Sequence, residues 1–116
     1  CFVLDKTSMF RIVSRRKDGS EFKHAVKPLR LIWDKVDGWN AANTLHLDDL
    51  SRNFALNPRS GVKCKAYHRD KPNAARDAEL PALAAYLAHV ARASKGLSAF
   101  DHGKWRDVWK KIREGG

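Results

Sequence analysis

Two β-prone runs on either side of a short turn predict a β-hairpin near the start of the chain. Residues 9–14 and 21–26 are two β-prone runs, and a Lys-Asp-Gly-Ser turn at residues 17–20 separates them. Asp-Gly between two such runs is a strong hairpin signal, because these residues adopt the backbone angles of a tight turn. The pattern therefore predicts a hairpin with a basic tip.

Apolar residues at helical spacing predict three helices. Pro28 suits the first turn of a helix, and an apolar stripe runs from there to Gly38. Residues 77–91 carry a longer stripe, with Asp77 as the predicted N-cap. Residues 103–113 place both Trp residues of that segment on one face. We expect this last helix to cover a sheet.

Two short runs predict the central strands. Residues 44–47 are mostly apolar and end abruptly in Asp48 and Asp49, as a buried parallel strand does at its carboxyl end. Ligands bind at that edge in open α/β sheets. Residues 62–67 alternate and predict a second strand. The order of elements suits an α/β fold, although a doubly wound sheet usually has about five strands.

Composition narrows the class of protein. A chain of 116 residues that is 43% hydrophobic can form one domain or part of one. The net charge of +10 favours nucleic acid, an anionic membrane, a phosphorylated ligand or an acidic protein as partner. No apolar run approaches the ~20 residues of a membrane span, so we expect no membrane insertion. Cys1 and Cys64 lack metal-ligand spacing and are expected to be free thiols.

Asp48 and Asp49 are the first candidates for chemistry. Two adjacent carboxylates at a strand end, in so basic a chain, offer the hard oxygen ligands that Mg²⁺ prefers. The alternative is that one carboxylate caps the following turn and the other is solvated.

Lys27 is the second candidate. It precedes Pro28, whose ring excludes helical geometry from the residue before it and so places the lysine at the mouth of a helix. A cation at the positive end of a helix is unfavourable unless an anion joins it. The alternative is an ordinary solvated lysine among 23 basic residues.

Residues 45–63 read LHLDDLSRNFALNPRSGVK. This stretch resembles the FCP/SCP-type phosphatases of the haloacid dehalogenase (HAD) superfamily, and among them the ubiquitin-like-domain-containing CTD phosphatases most closely. In that family a strand ends in Asp-Asp, then Arg-Asn-Phe, Asn-Pro and Gly precede a basic strand. Upstream, further positions match a family strand, turn and helix start, with Ser14 in place of the family's Cys: Phe10, Arg11, Gly19, Lys27 and Leu29.

The resemblance implies a fold and a domain organisation. We expect a partial HAD (Rossmann-like) α/β domain with a β-hairpin, at least two parallel core strands and flanking helices. Residues 1–116 would be the C-terminal part of one FCP-homology phosphatase domain. The family's nucleophile motif, Asp-x-Asp-x-Thr, does not occur in the chain. We therefore expect an active phosphatase in the intact parent and an inactive chain on its own.

The resemblance also implies residue roles. Lys27 matches the lysine that neutralises the phosphoryl group, Asp49 the direct Mg²⁺ ligand, and Asp48 a lysine-paired position behind the metal. Arg11 matches an arginine that could bind the substrate phosphate. The implied activity is Mg²⁺-dependent hydrolysis of phosphoserine or phosphothreonine proteins through an aspartyl-phosphate. The family points to the RNA polymerase II tail or the proteasome as partners, and to the nucleus, with the cytoplasm as a second location.

Asp5 is a competing nucleophile within LDKTSM, whose Asp-Lys-Thr resembles the phosphorylated aspartate of P-type ATPases. Met9 stands where that motif has Thr or Val, and only 21 residues separate Asp5 from Lys27. We therefore reject Asp5 as nucleophile and expect it in an entry strand.

A basic binding module is the alternative function. In that case a pseudophosphatase would use its charge of +10 to bind nucleic acid or an acidic or phosphorylated protein. The chain has no RNA-binding aromatic motif and no zinc-finger spacing, so nucleic acid ranks behind the phosphatase.

Overall fold

The computed structural model describes residues 3–115 of the chain. These residues contain a β-hairpin, a two-stranded parallel sheet and three α-helices, joined by loops and short 3-10 helices. Cys1 lies outside the described residues. No helix within them has both the length and the apolar character needed to cross a bilayer. In chain order the elements are β1 (Phe10–Arg15), β2 (Glu21–Val26), α1 (Leu29–Lys35), β3 (His46–Asp48), β4 (Gly61–Lys63), α2 (Glu79–Arg92) and α3 (Trp105–Glu114).

The predicted hairpin is confirmed. Strands β1 and β2 pair antiparallel, with Phe10 opposite Val26 at the base and Arg15 opposite Glu21 at the tip. Gly19 has a φ of +89°, a conformation that glycine adopts without steric cost. The turn conformation therefore depends on Gly19, a residue of the turn itself.

The predicted parallel pair is also confirmed, but its strands are shorter than expected. His46 to Asp48 pair with Gly61 to Lys63, and the Cys64 N–H then donates to the Asp48 carbonyl over 3.0 Å. Strand β4 was expected to reach residue 67. It ends at Lys63, and the Lys65 N–H donates to the Glu79 carboxylate of α2.

The core lies between β4 and the two C-terminal helices. Its buried members are Val62, Ala82, Leu83, Tyr86, Val90 and Trp105. The Trp105 indole N–H donates to the Lys63 carbonyl over 2.8 Å, which fixes α3 against β4. This confirms that the last helix covers the sheet. Cys64 is half-buried and packs against the same core.

The start of α2 differs from the prediction. Ala78, not Asp77, is the N-cap residue, and no side chain caps it. The Asp77 carboxylate instead accepts from the Glu79 N–H over 3.1 Å. Asp77 thus satisfies one free N–H of the first turn from one position further out.

Glu79 forms the buried polar junction of the fold. Its carboxylate accepts from both terminal nitrogens of the Arg106 guanidinium of α3 and from the Lys65 N–H. The hydrogen bonds from Arg106 and Lys65 outweigh burial and lower the pKa of Glu79 below its usual 4.5. The bidentate pair therefore joins α2, α3 and the segment after β4.

The depressed pKa of Glu79 gives a testable pH dependence. Stability from the ionised pair is fully present above pH 4.5 and is lost as the pH falls through the lower pKa of the folded state. We expect Glu79→Gln to lower the free energy of unfolding by about 2 kcal/mol at pH 7, and by less in acid. Urea unfolding at several pH values measures this difference in the free energy of unfolding.

Glu21→Gln, which breaks the exposed pair with Arg15, is the matched control and should lower the free energy of unfolding by under ~0.5 kcal/mol. Equal losses in both variants would contradict the assignment.

Candidate active site

Asp48 ends β3, and its carboxylate is held on both oxygens. One oxygen accepts from the Leu50 N–H over 2.9 Å, and the other accepts from the Asn53 side-chain amide over 3.0 Å. Burial raises the pKa of Asp48. The hydrogen bonds from Leu50 and Asn53, with smaller contributions from Asp49 and His46, more than offset this and lower it. Asp48 is therefore a fixed, ionised carboxylate.

Asp49 is exposed and faces a different environment. No N–H group within residues 3–115 donates to its carboxylate. It borders a polar cleft of about 670 Å³, whose other walls are the segment after β4 and the first turn of α3. Its oxygens are therefore open to a ligand.

Lys27 is exposed and precedes α1, whose first turn is anchored from outside. The Asn57 side-chain oxygen accepts from the Leu29 N–H over 3.1 Å. Lys27 lines a second, mostly apolar cleft of about 230 Å³ between α1 and β3. No carboxylate within residues 3–115 lies within 4.0 Å of its ammonium. The pairing of Asp48 with Lys27 therefore stays a prediction.

His46 lies near both candidate groups. Its Nε2 is 3.7 Å from the Asp48 carboxylate, and its ring lines the Lys27 cleft. Burial lowers the pKa of His46; Asp48 opposes this and Lys27 adds to it. The neutral imidazole is therefore favoured between Asp48 and the lysine cleft that it lines.

Arg11 and Asp5 lie outside the strand end. Arg11 is exposed on β1 opposite Ala25, and borders neither cleft. Asp5 lines the Lys27 cleft, but its carboxylate accepts from the Thr7 N–H and hydroxyl and caps a short 3-10 helix, Lys6–Ser8. The entry strand expected at Asp5 is therefore wrong, because this local cap turns the chain.

The donor set suits Mg²⁺ better than a metal that requires an all-protein site. Within residues 3–115 no group of three or more His, Cys, Asp or Glu side chains is placed to hold a metal ion. Mg²⁺ keeps several waters and binds through one or two carboxylates. Asp49, with its oxygens open at the cleft, fits such a ligand, and Asp48 fits a supporting position behind it.

Comparison with protein-family models gives a match over residues 3–97 to the family described as NLI interacting factor-like phosphatase. The match spans β1 to α2 and includes Lys27, Asp48 and Asp49. The chain belongs to the NLI interacting factor-like phosphatase family. The family resemblance inferred from the sequence is thus confirmed.

Curated relatives agree with this family assignment. A "Ubiquitin-like domain-containing CTD phosphatase 1" of Drosophila melanogaster is 34% identical over 110 residues, 95% of this chain and 33% of the relative. The protein of that name from Danio rerio is 33% identical over 111 residues, with the same two shares. A "Ubiquitin-like domain-containing CTD phosphatase" of Arabidopsis thaliana is 40% identical over 80 residues, 68% of this chain and 23% of the relative. The chain thus spans about a third or less of these relatives' length.

Two positioning residues of this phosphatase-family chain were missed at the sequence level. Asn53 and Asn57 both lie in the motif that carries the resemblance, yet their partners, Asp48 and the start of α1, became visible only in the structure. His46 is a further residue beside Asp48 to which no sequence motif assigns a role. Its spacing of two from Asp48 was the available signal, because alternate residues of a strand share a face.

The Asn53 hydrogen bond gives a testable pKa shift. We expect Asn53→Asp to raise the pKa of Asp48, because it replaces a donor with a second negative charge. Asn53→Ala removes the donor without adding charge and should raise that pKa less. Carboxyl ¹³C NMR titration measures both values. The same Asp48 pKa in the wild type and both variants would show that Asn53 does not hold this carboxylate.

Proposed function

We propose that this chain supplies the C-terminal part of a Mg²⁺-dependent protein serine/threonine phosphatase domain of the HAD type. The family match over residues 3–97 carries the proposal, because it includes a carboxylate pair at the carboxyl end of a parallel strand. The nucleophilic aspartate would come from outside this chain, since Asp-x-Asp-x-Thr is absent from it. Residues 1–116 alone would therefore be inactive.

Attack of a carboxylate on a phosphate requires that the charges of both groups be neutralised. Lys27 would supply part of that charge, and its exposed ammonium lacks a carboxylate partner within residues 3–115. Arg11, at the hairpin base and opposite a residue two positions before Lys27, would add a contact to the substrate phosphate.

Asp49 would bind Mg²⁺ directly through its open oxygens, and Asp48 would orient the site from behind. Mg²⁺ held by these residues would supply positive charge that offsets the negative charge of the phosphate. Asp48 suits its role because its carboxylate is fixed by Leu50 and Asn53. The proposed substrates are phosphoserine and phosphothreonine proteins, with the RNA polymerase II tail and the proteasome as candidates. The proposed location is the nucleus, with the cytoplasm as a second one.

The roles of Lys27 and Asp49 are testable in the intact protein that carries residues 1–116. We expect Lys27→Ala to lower kcat for p-nitrophenyl phosphate by at least ~100-fold, because it removes charge stabilisation of the transition state. Asp49→Asn should raise the Mg²⁺ concentration for half-maximal activity by at least ~10-fold, because it removes a charged ligand.

Matched controls for these variants lie on exposed surface. Lys23→Ala removes a lysine from the outer face of the hairpin, and Asp34→Asn removes a carboxylate whose partner is Arg30. Both controls should keep wild-type kinetics. Undiminished turnover in Lys27→Ala and Asp49→Asn together would refute the assigned roles.

The open side of β3 supports a partial domain. Parallel sheets are normally buried on both faces and have more than two strands, whereas the parallel sheet within residues 3–115 has two. Leu47 of β3 is 44% exposed. The radius of gyration is 16.1 Å, whereas a compact domain of this length would have about 13 Å. These features support the proposal that the nucleophile-bearing part of the domain packs against β3.

Self-association tests this placement. We expect the isolated chain to associate at micromolar concentration, because an unpaired strand edge and exposed apolar residues favour intermolecular contact. Size-exclusion chromatography with light scattering measures its mass. Leu47→Lys puts a charge on β3 and should shift the equilibrium toward monomer. A compact monomer with high thermal stability in the unaltered chain would contradict the placement.

A further inference from the structure

The cleft beside Asp49 carries more positive charge than the metal site requires. Four cationic side chains line it, those of Lys63, Lys65, Lys71 and Arg106, against the two carboxylates of Asp49 and Asp77. Residues 63–76 supply most of this lining and contain five Lys or Arg residues and one Asp, and three of the five cations line the cleft. The cleft is therefore basic along one side.

Three of these cations form no close ion pair within the described residues. Within residues 3–115, no carboxylate lies within 4.0 Å of the ammonium groups of Lys63, Lys65 and Lys71, and all three residues are exposed. Arg106 is different, because its guanidinium is already paired with Glu79. An anionic ligand would thus find three lysines whose ammonium groups have no carboxylate within 4.0 Å in residues 3–115.

The backbone at Lys63 and Lys65 is held by side chains of the two C-terminal helices. The Lys63 carbonyl accepts from the Trp105 indole over 2.8 Å, and the Lys65 N–H donates to the Glu79 carboxylate. The inner wall contains Trp105 and His102, both buried. A fixed backbone lowers the ordering cost of binding, since only the lysine side chains lose freedom.

We propose that this cleft binds an anionic segment that flanks the phosphorylated residue of a peptide substrate. The anionic groups would be carboxylates or further phosphoryl groups. The inference rests on the proposed function, because it is the location of Asp49 at the border of the cleft that puts these anions next to the phosphate to be hydrolysed. Lys65 and Lys71 are specificity-determining residues in this account, and neither takes part in the phosphoryl transfer.

Nucleic acid fits this cleft less well than a peptide. Single-stranded nucleic acid is held by exposed aromatic rings on which bases stack. Of the three aromatic side chains that line the cleft, His102 and Trp105 are each only 2% exposed and make other hydrogen bonds, whereas the His68 ring is exposed. The cleft thus offers several cations but a single exposed ring on which a base could stack.

The test uses the intact protein that carries residues 1–116 and three phosphoserine peptides. Their flanking residues are glutamates, further phosphoserines or glutamines. We expect Lys65→Gln combined with Lys71→Gln to lower the preference for the anionic peptides over the glutamine peptide, measured as a ratio of kcat/KM, by about 10-fold, mostly through KM. Comparison of the glutamate and phosphoserine peptides identifies the favoured anion.

The matched control is Lys17→Gln combined with Lys23→Gln, two exposed hairpin lysines without a carboxylate within 4.0 Å in residues 3–115. It removes the same charge and should keep the preference. An equal fall in both double variants, or no fall in either, would overturn the proposal. Thermal melts that match the wild type exclude misfolding as the cause.

A binding measurement separates this proposal from the proposed function. Fluorescence anisotropy with labelled, non-hydrolysable versions of the three peptides reports affinity whether or not the protein turns over. An inactive protein that still prefers the anionic peptides through Lys65 and Lys71 would refute the phosphatase activity and keep the binding site. A labelled single-stranded oligonucleotide that binds more tightly than either anionic peptide, with the same lysine dependence, would overturn the peptide assignment.

Discussion

Glu79, at the start of α2, accepts hydrogen bonds from the Arg106 guanidinium and the Lys65 N–H, and so joins two helices and the segment after β4. A buried carboxylate is costly unless it is paired and hydrogen-bonded, and here both its oxygens have donors. This contact turns the chain out of β4 after Lys63. It also fixes the helices that form the core, and thereby one wall of the cleft beside Asp49.

The two sides of the parallel sheet are unequal as a result. Beyond β4, the helices bury Val62 and Trp105, and the Trp105 indole closes the contact with a hydrogen bond to Lys63. Beside β3, Leu47 stays exposed, and the cleft that contains Lys27 is small and mostly apolar. The sheet is thus covered by packed helices at β4 and is exposed at β3. This asymmetry supports the proposal that a further part of the domain packs against β3.

The two carboxylates of the candidate site also differ in their surroundings. Asp48 is half-buried and held by donors, whereas Asp49 is exposed at a cleft lined by unpaired lysines. In a chain of net charge +10, many cationic side chains could neutralise an exposed carboxylate by forming an ion pair with it. The two carboxylates thus have different surroundings, which supports the proposed roles of Asp49 as metal ligand and Asp48 as supporting residue.

Most secondary-structure elements of the fold could be predicted from the sequence. The hairpin, the three helices and the parallel pair followed from periodicity and turn residues, because these signals act between residues a few positions apart. Strand ends were less accurate: β4 stops at Lys63 because of a contact with Glu79, 14 positions away from Lys65. The N-cap of α2 was one residue off, because Asp77 reaches the helix from outside it.

The family and the candidate residues follow from the amino-acid sequence alone, since the Asp-Asp, Arg-Asn-Phe and Asn-Pro motifs are contiguous and specific. The different surroundings of those residues depend on the tertiary structure. Asp48 and Asp49 are chemically identical neighbours, and Asn53, at the end of a turn, donates to the first alone. Lys27 and Asp49 border separate clefts, and this too could not be derived from their positions in the sequence. The surroundings of a side chain depend on contacts between distant segments, which no local pattern encodes.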